Sequence, residues 1–271
     1  MRRIYIDQLH LRPRPGSLIP ELRRRARAGE FRAPVSIAHA LDTMRDRPDR
    51  RAETQAALVD LSQNEVLLTE TAMHVVEAAG SREKRDHDWV RARAISTSMW
   101  DYAASPRSPI WLRLARRIVP ATPAHVFRGL AFFGDARPLS ARVQPILEDG
   151  ATKGNLRRGN DPSWSELLTS IGATDLASTR SESEVRRVFR TIATRRALHD
   201  AIWERRATGL DPNDLVDLTF LAVALPYLDA VVVDRRMLAR IEDARGAAGI
   251  PWAKAFRRLD ELVAWLDASP P

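Results

Sequence analysis

Apolar positions recur along this chain with two periods, and the switches between them mark its elements. Ile4-Tyr5-Ile6 is a β-branched and aromatic run that ends at Asp7 and reads as a short buried strand. Phe31 to Ile37 is a second strand, with Pro34 marking an edge or a bulge. Asp229-Ala230-Val231-Val232-Val233-Asp234 is a third, its continuous apolar run fitting a strand buried on both faces. A further strand has room in Asn64 to Thr69 or in the central segment. Helical spacing covers Leu18 to Ala28, with Arg23, Arg24, Arg25 and Arg27 on the wet side, and the residues from a Ser36 cap through Asp42. It also covers Ala52 to Leu61, and Thr69 to Ala79 before Gly80.

The texture changes at Ser81. Residues 81–88 are highly charged, Trp89 to Ala104 is compatible with a helix, and Trp111 to Val119 is amphipathic up to Pro120. Between Leu139 and Trp164, Pro145, Gly150, Gly154, Gly159 and Pro162 mark a long connection. The pattern therefore predicts an insertion or lid over residues 81–175, of unknown role, between two parts of one domain, 1–80 and 176–271. Order returns with Glu182 to Arg206, one long helix by the spacing of Val185, Val188, Phe189 and Ile192. Asp211 caps the next helix, with Pro212 in its first turn, and Pro226 stops it. Arg236 to Ala244 and Pro251 to Leu266 complete the set. Strands alternating with helices predict an α/β fold, a parallel sheet flanked by helices with a mostly helical insertion.

Composition narrows the chemistry. The 271 residues include no cysteine, which excludes disulfides, iron–sulfur clusters, thiolate zinc sites and a cysteine nucleophile. Lys plus Arg number 43 against 35 Asp plus Glu, for a net charge of +8. All but Lys84, Lys153 and Lys254 of those cations are arginine, whose planar fork suits phosphate. Leu215 to Val233 is the most apolar stretch, but Asp217, Pro226 and Asp229 interrupt it, so no membrane span is expected and the chain reads as cytoplasmic. The histidines show no helical zinc spacing, and His10 and His39 read as structural imidazoles near the acids described next. The glycines of 150–160 form no phosphate loop.

Four acids stand out by position. Asp7 ends the first strand, Asp42 lies in the helix after the second, Asp217 sits in an otherwise apolar helix, and Asp234 ends the last strand. The carboxyl ends of parallel strands gather at one edge, where open α/β folds bind ligands. A carboxylate among Leu215, Val216, Leu218, Phe220 and Leu221 is costly to bury unless it is paired or ligates a metal. Asp214, one turn earlier, shares its face. Oxygen ligands of this kind suit Mg²⁺ or Mn²⁺. Each acid also has a plainer role: Asp7 as a turn residue, Asp42 pairing with Arg45, Asp214 at a helix N-terminus, Asp234 as a helix cap.

Ile4-Tyr5-Ile6-Asp7-Gln8, the run from Phe31 to Asp42, and above all Asn213-Asp214-Leu215-Val216-Asp217-Leu218 continuing through Ala224 to Asp234 resemble the PIN-like nuclease domains. The resemblance covers residues 1–80 and 180–250. It implies metal-dependent cleavage of phosphodiesters, usually RNA, with Asp7, Asp42, Asp217 and Asp234 catalytic. Asp7, Asp217 and Asp234 would be the core ligands of Mg²⁺ or Mn²⁺. Asp42 would bind directly or through water, and Asp214 would be auxiliary. Gln8, Asn213 and the helix carrying Arg186 and Arg190 would position RNA phosphates. A place in a toxin or defence system, with a neutralising partner protein, is compatible with this reading. Two positions depart from the family habit: Leu9, where Asn or Ser is common, and Asp42, where Glu is common. They support an alternative, a catalytically inactive PIN-like module that binds RNA or protein. A third reading, a helical interaction protein whose acids pair with arginines, expects the acids to lie far apart.

Overall fold

The computed structural model describes residues 1–12, 14–46, 48–97, 122–131, 163–170, 173–177, 181–204 and 212–268. Its centre is a parallel sheet of four strands: β1 (Arg2–Ile6), β2 (Phe31–Arg32), β5 (Ala230–Val232) and β6 (Lys254–Phe256), in the order β2-β1-β5-β6. The register is set by Arg2 opposite Phe31, Ile4 opposite Ala230, and Ala230 opposite Lys254. Beyond β2 the chain passes Pro34 and leaves the pairing with β1. Val35 then makes a parallel bridge to Val66 of β3 (Val66–Leu67), which pairs antiparallel with β4 (Ile95–Ser96). The strand expected within 64–69 is β3.

Alternation along the strands divides the core into two layers. Tyr5, Val231 and Val233 face one side, packed with Leu221, Leu225, Leu198 and Met73. Ile4, Ile6, Ala230 and Val232 face the other, packed with Leu22, Leu58, Phe31 and Leu262. The second side is covered by α1 (Ile19–Arg27), α3 (Pro48–Ser62) and α13 (Leu259–Ala268), with Phe127 of α6 (Pro123–Ala131). The first is covered by α4 (Glu70–Arg82), α10 (Arg190–Glu204), α11 (Pro212–Tyr227) and α12 (Arg235–Ala244). Between the layers, α2 (Ile37–Arg45) sends Ala38 to one core and Ala40 to the other. Fully buried side chains such as Ile4, Ile6, Leu22 and Leu198 each contribute ~1.5–3 kcal/mol by leaving water.

Several elements differ from the sequence pattern, two of them because a distant partner decides. The helix expected over 182–206 is two, α9 (Glu182–Val188) and α10, broken at Phe189 (φ −96°, ψ 65°). The new N-terminus leaves backbone donors unpaired, and Glu77 of α4 accepts from the Thr191 amide at 2.9 Å. The helix expected from Pro251 begins only at Leu259, because 254–256 pair with β5. Pro226 does not stop α11. It sits within its last turn, where Leu228 N–H still reaches Ala224 C=O at 2.9 Å.

The start of the 81–175 segment belongs to the sheet layer. In α5 (His87–Ala92) Val90 is buried, Ala94 joins the same core, and β4 follows where a helix through Ala104 was expected. Later pieces, α7 (Trp164–Ser170) and α8 (Thr174–Ala177), pack Leu168 and Leu176 against Ala78, Val185 and Phe189. The readings of Trp111–Val119 and of most of 139–164 lie outside the described residues. Among the described residues, no helix is long and apolar enough to cross a membrane.

Candidate functional site

The carboxyl ends of β1, of the chain after β2, of β3 and of β5 open on one edge of the sheet, because all four run in the same direction. Asp7 follows β1 there. Its amide closes the ladder on Val232 C=O at 2.9 Å, and its carboxylate accepts the Leu9 N–H at 2.9 Å, capping the 3₁₀ turn Gln8–Leu11. The turn-residue role is thus real and occupies one carboxylate oxygen.

Two residues back, on the same strand face, lies Tyr5, which is buried. Burial pushes its phenol well above the ordinary value, and the charges of Asp7, Asp217 and Asp42 push it the same way. Three carboxylates from β1, α11 and α2 therefore act on a single phenol. The expected core ligands were Asp7, Asp217 and Asp234; the acids whose charge reaches Tyr5 are Asp7, Asp217 and Asp42. Tyr5 bonds to the Ser36 side chain and keeps its proton, so it adds no fourth negative charge.

His39 locks this corner. Its Nδ1 accepts the Ser36 N–H at 2.9 Å, which leaves the proton on Nε2 to donate to Ile6 C=O at 2.8 Å. Burial lowers its pKa, so the ring is neutral and fully used. One imidazole therefore caps α2 and fixes the strand residue before Asp7, as the structural reading expected. His10 lies on the 3₁₀ turn that Asp7 caps.

Asp234 stands at the same edge, one strand over, but it caps α12, accepting the Met237 N–H at 2.6 Å. Alternation along β5 gives Val231 and Val233 to the Tyr5 face, and Asp234 follows with the opposite parity. The acids that raise the Tyr5 phenol most are Asp7, Asp217 and Asp42. Asp214 and Asn213 lie in the first turn of α11, upstream of Asp217; their side chains lie outside the described residues.

Gln8 is buried, and its amide is taken up at both ends. Nε2 donates to Asp46 at 3.2 Å, and Oε1 accepts from Thr43 at 3.4 Å. It ties the Asp7 turn to the end of α2 instead of presenting a donor to solvent. Arg186 and Arg190 lie near the other end of the sheet. Arg190 approaches His87 at 3.5 Å, and His87 stacks on Tyr227 with centroids 5.6 Å apart. Tyr227 ends α11, ten residues and ~15 Å of helix beyond Asp217. Arg186 is held by Glu182 at 2.7 Å.

Two acids that sequence reading did not single out are Glu70 and Glu77. Glu70 opens α4 after β3, at the same edge as Asp7, where it pairs with Arg195. Glu77, two turns on, is fully buried. It accepts from the Thr191 amide, from the Thr191 hydroxyl at 2.8 Å, and from the Tyr227 hydroxyl. Burial raises its pKa to about 7 against those bonds. Position after a strand signals Glu70 in the sequence; nothing local signals Glu77.

A divalent ion with hard oxygen preference suits the Asp7, Asp42 and Asp217 donor type. Among the described residues, no three such side chains lie close enough to hold one ion in common. The fit is therefore one of chemistry and neighbourhood. No protein-family model, no curated protein and no solved structure matches this chain.

Proposed function

We propose that this chain is a PIN-like, metal-dependent nuclease acting on RNA. The observation that carries the reading is the convergence of Asp7, Asp42 and Asp217 on the buried Tyr5 at the carboxyl edge of a parallel sheet. In such folds that edge is where ligands are taken up. Three carboxylates from three separate elements, brought round one point, suit a cation far better than they suit each other. Asp7, Asp42 and Asp217 would hold Mg²⁺ or Mn²⁺, with Asp214 and Asp234 as auxiliary acids at the rim. The ion would supply Lewis acidity toward the phosphodiester and the attacking water.

The chain's own residues supply position. His39 and the 3₁₀ turn fix the backbone on both sides of Asp7, and the protonated Tyr5 gives the acids a neutral floor. Glu70, at the same edge, is neutralised by Arg195. One observation favours a second reading, a PIN-like module that binds RNA or protein without cutting. The trio is not drawn to ligation distance, and Asp7 and Asp234 both serve as caps.

The experiment is a cleavage assay on mixed RNA with Mn²⁺, Mg²⁺ or a chelator, alongside Asp217→Asn. The enzyme reading expects cleavage only with the ion and a loss of at least a hundredfold in the variant, on the scale of removing one charged stabiliser. Cleavage equal in both, or absent in both while the ion raises Tm, rejects it.

A further inference from the structure

Arg186 and Arg190, first expected to guide RNA, lie near the opposite end of the sheet from Asp7, and Arg195 of the same segment is taken up by Glu70. The chain after Asp7 gives a different answer. From the 3₁₀ turn it passes Arg12 and Arg14, turns at Gly16 (φ +71°), and enters α1. Because β2 begins opposite the start of β1, α1 must run back across the sheet from the acid edge to the opposite edge. Two adjoining surface cavities follow it. One, of about 430 Å³, is lined by Arg14, Ser17, Arg23 and Glu53 at the acid-edge end of α1. The other, of about 320 Å³, is lined by Arg23, Arg24 and Arg27 further along. They share Pro20 and Arg23, and so adjoin along the same face of α1.

The charge of this groove is only partly cancelled. Arg23 and Arg27 share a single carboxylate, Asp60, the second at 2.6 Å. Glu21 is claimed by Arg25 at 2.8 Å, and Arg24, with 65% of its side chain exposed, approaches it only to 3.5 Å. Arg14 is exposed. A basic hollow of about 410 Å³ at the opposite edge has carboxylates in or beside its lining: Arg91 pairs with Asp229, and Arg3 with Glu65, which also holds Arg32. Arginines spaced three and four apart on one helix present their forks to one side, which suits successive phosphates and carries no base preference.

We propose that this α1 groove takes up the phosphodiester backbone of RNA and leads it to the Asp7–Asp42–Asp217 edge. The destination rests on the nuclease reading; the binding does not.

The test uses the full chain and a labelled single-stranded RNA oligonucleotide, with chelator present so that binding is read without cleavage. The variant is Arg14→Gln with Arg24→Gln, both exposed and neither holding α1 to α3. Binding across a salt series should flatten by about 1.4 in the log–log slope, at roughly 0.7 per lost phosphate contact. Arg186→Gln with Arg190→Gln should leave the slope unchanged. Glu53→Gln should tighten binding. With Mn²⁺ added, the groove variant should raise KM and leave kcat alone. An unaltered slope in the groove variant, or no RNA binding by the wild-type chain, overturns the proposal. A flattened slope in a chain that never cleaves RNA keeps the groove and rejects the nuclease reading instead.

Discussion

Replacing Glu77 by Gln tests the polar network that joins α4, α10 and α11. Glu77 accepts three hydrogen bonds through Oε1, while Oε2 is buried without a hydrogen-bond partner. Burial lifts its pKa from the ordinary 4.5 to about 7, with the charge of Glu70 adding to the rise. The folded chain therefore binds this proton more tightly than the unfolded chain. Stability from this group is fully present below pH 4.5, falls as pH rises, and is lost above about 7. At 1.36 kcal/mol per pH unit the loss is about 3 kcal/mol. Gln keeps the acceptor for Thr191 and Tyr227 and cannot ionise. Urea unfolding of both chains from pH 4.5 to 8 reads the difference directly, since all other groups titrate in both. The advantage of Glu77→Gln should grow by about 3 kcal/mol across that range and then level. Parallel curves would refute the reasoning and mean that the carboxylate charge is solvated in the folded state.

Asp217→Asn should leave the fold intact and, by removing one of three converging charges, raise Tm without metal while reducing the Mn²⁺-induced rise; a variant that unfolds outright would mark Asp217 as a structural ion-pair partner. His39→Ala removes the bond to Ile6 and the cap on Ser36 and should cost about 1–3 kcal/mol in denaturant unfolding. Because burial depresses the His39 pKa, its stabilisation is present above the unfolded value of 6.5 and is lost as pH falls; a wild-type-minus-variant difference constant from pH 8 to 5 would reject the neutral-ring assignment. Tyr5→Phe should leave metal-dependent cleavage within a fewfold of wild type, since the phenol stays protonated; a loss as large as that of Asp217→Asn would give the hydroxyl a direct part in the reaction.

The division between sequence and tertiary structure follows the range of the forces involved. Local periodicity was enough for β1, β5, α1, α4 and α12, where one apolar face or one continuous apolar run decides the element. It also singled out Asp7, Asp42, Asp217 and Asp234 by position, after strands or in an apolar helix, without saying which of them meet. It could not place β6, a short segment that becomes a strand only by pairing with β5. Nor could it break the 182–206 helix at Phe189, since the acceptor that satisfies Thr191 stands 114 residues away in α4. The same holds within the site. Asp234 and Asp7 look equivalent at the ends of their strands. Both serve as caps, and only the fold sets the charge of Asp7, with those of Asp217 and Asp42, on a buried tyrosine. Arginines recur in both α9–α10 and α1, but only the packing of the helices on the sheet decides that Arg190 stands beside His87 at the far end while α1 begins near Asp7. Sequence fixes what a residue can do with its near neighbours; which far neighbours it meets is settled by packing two faces of one sheet at once.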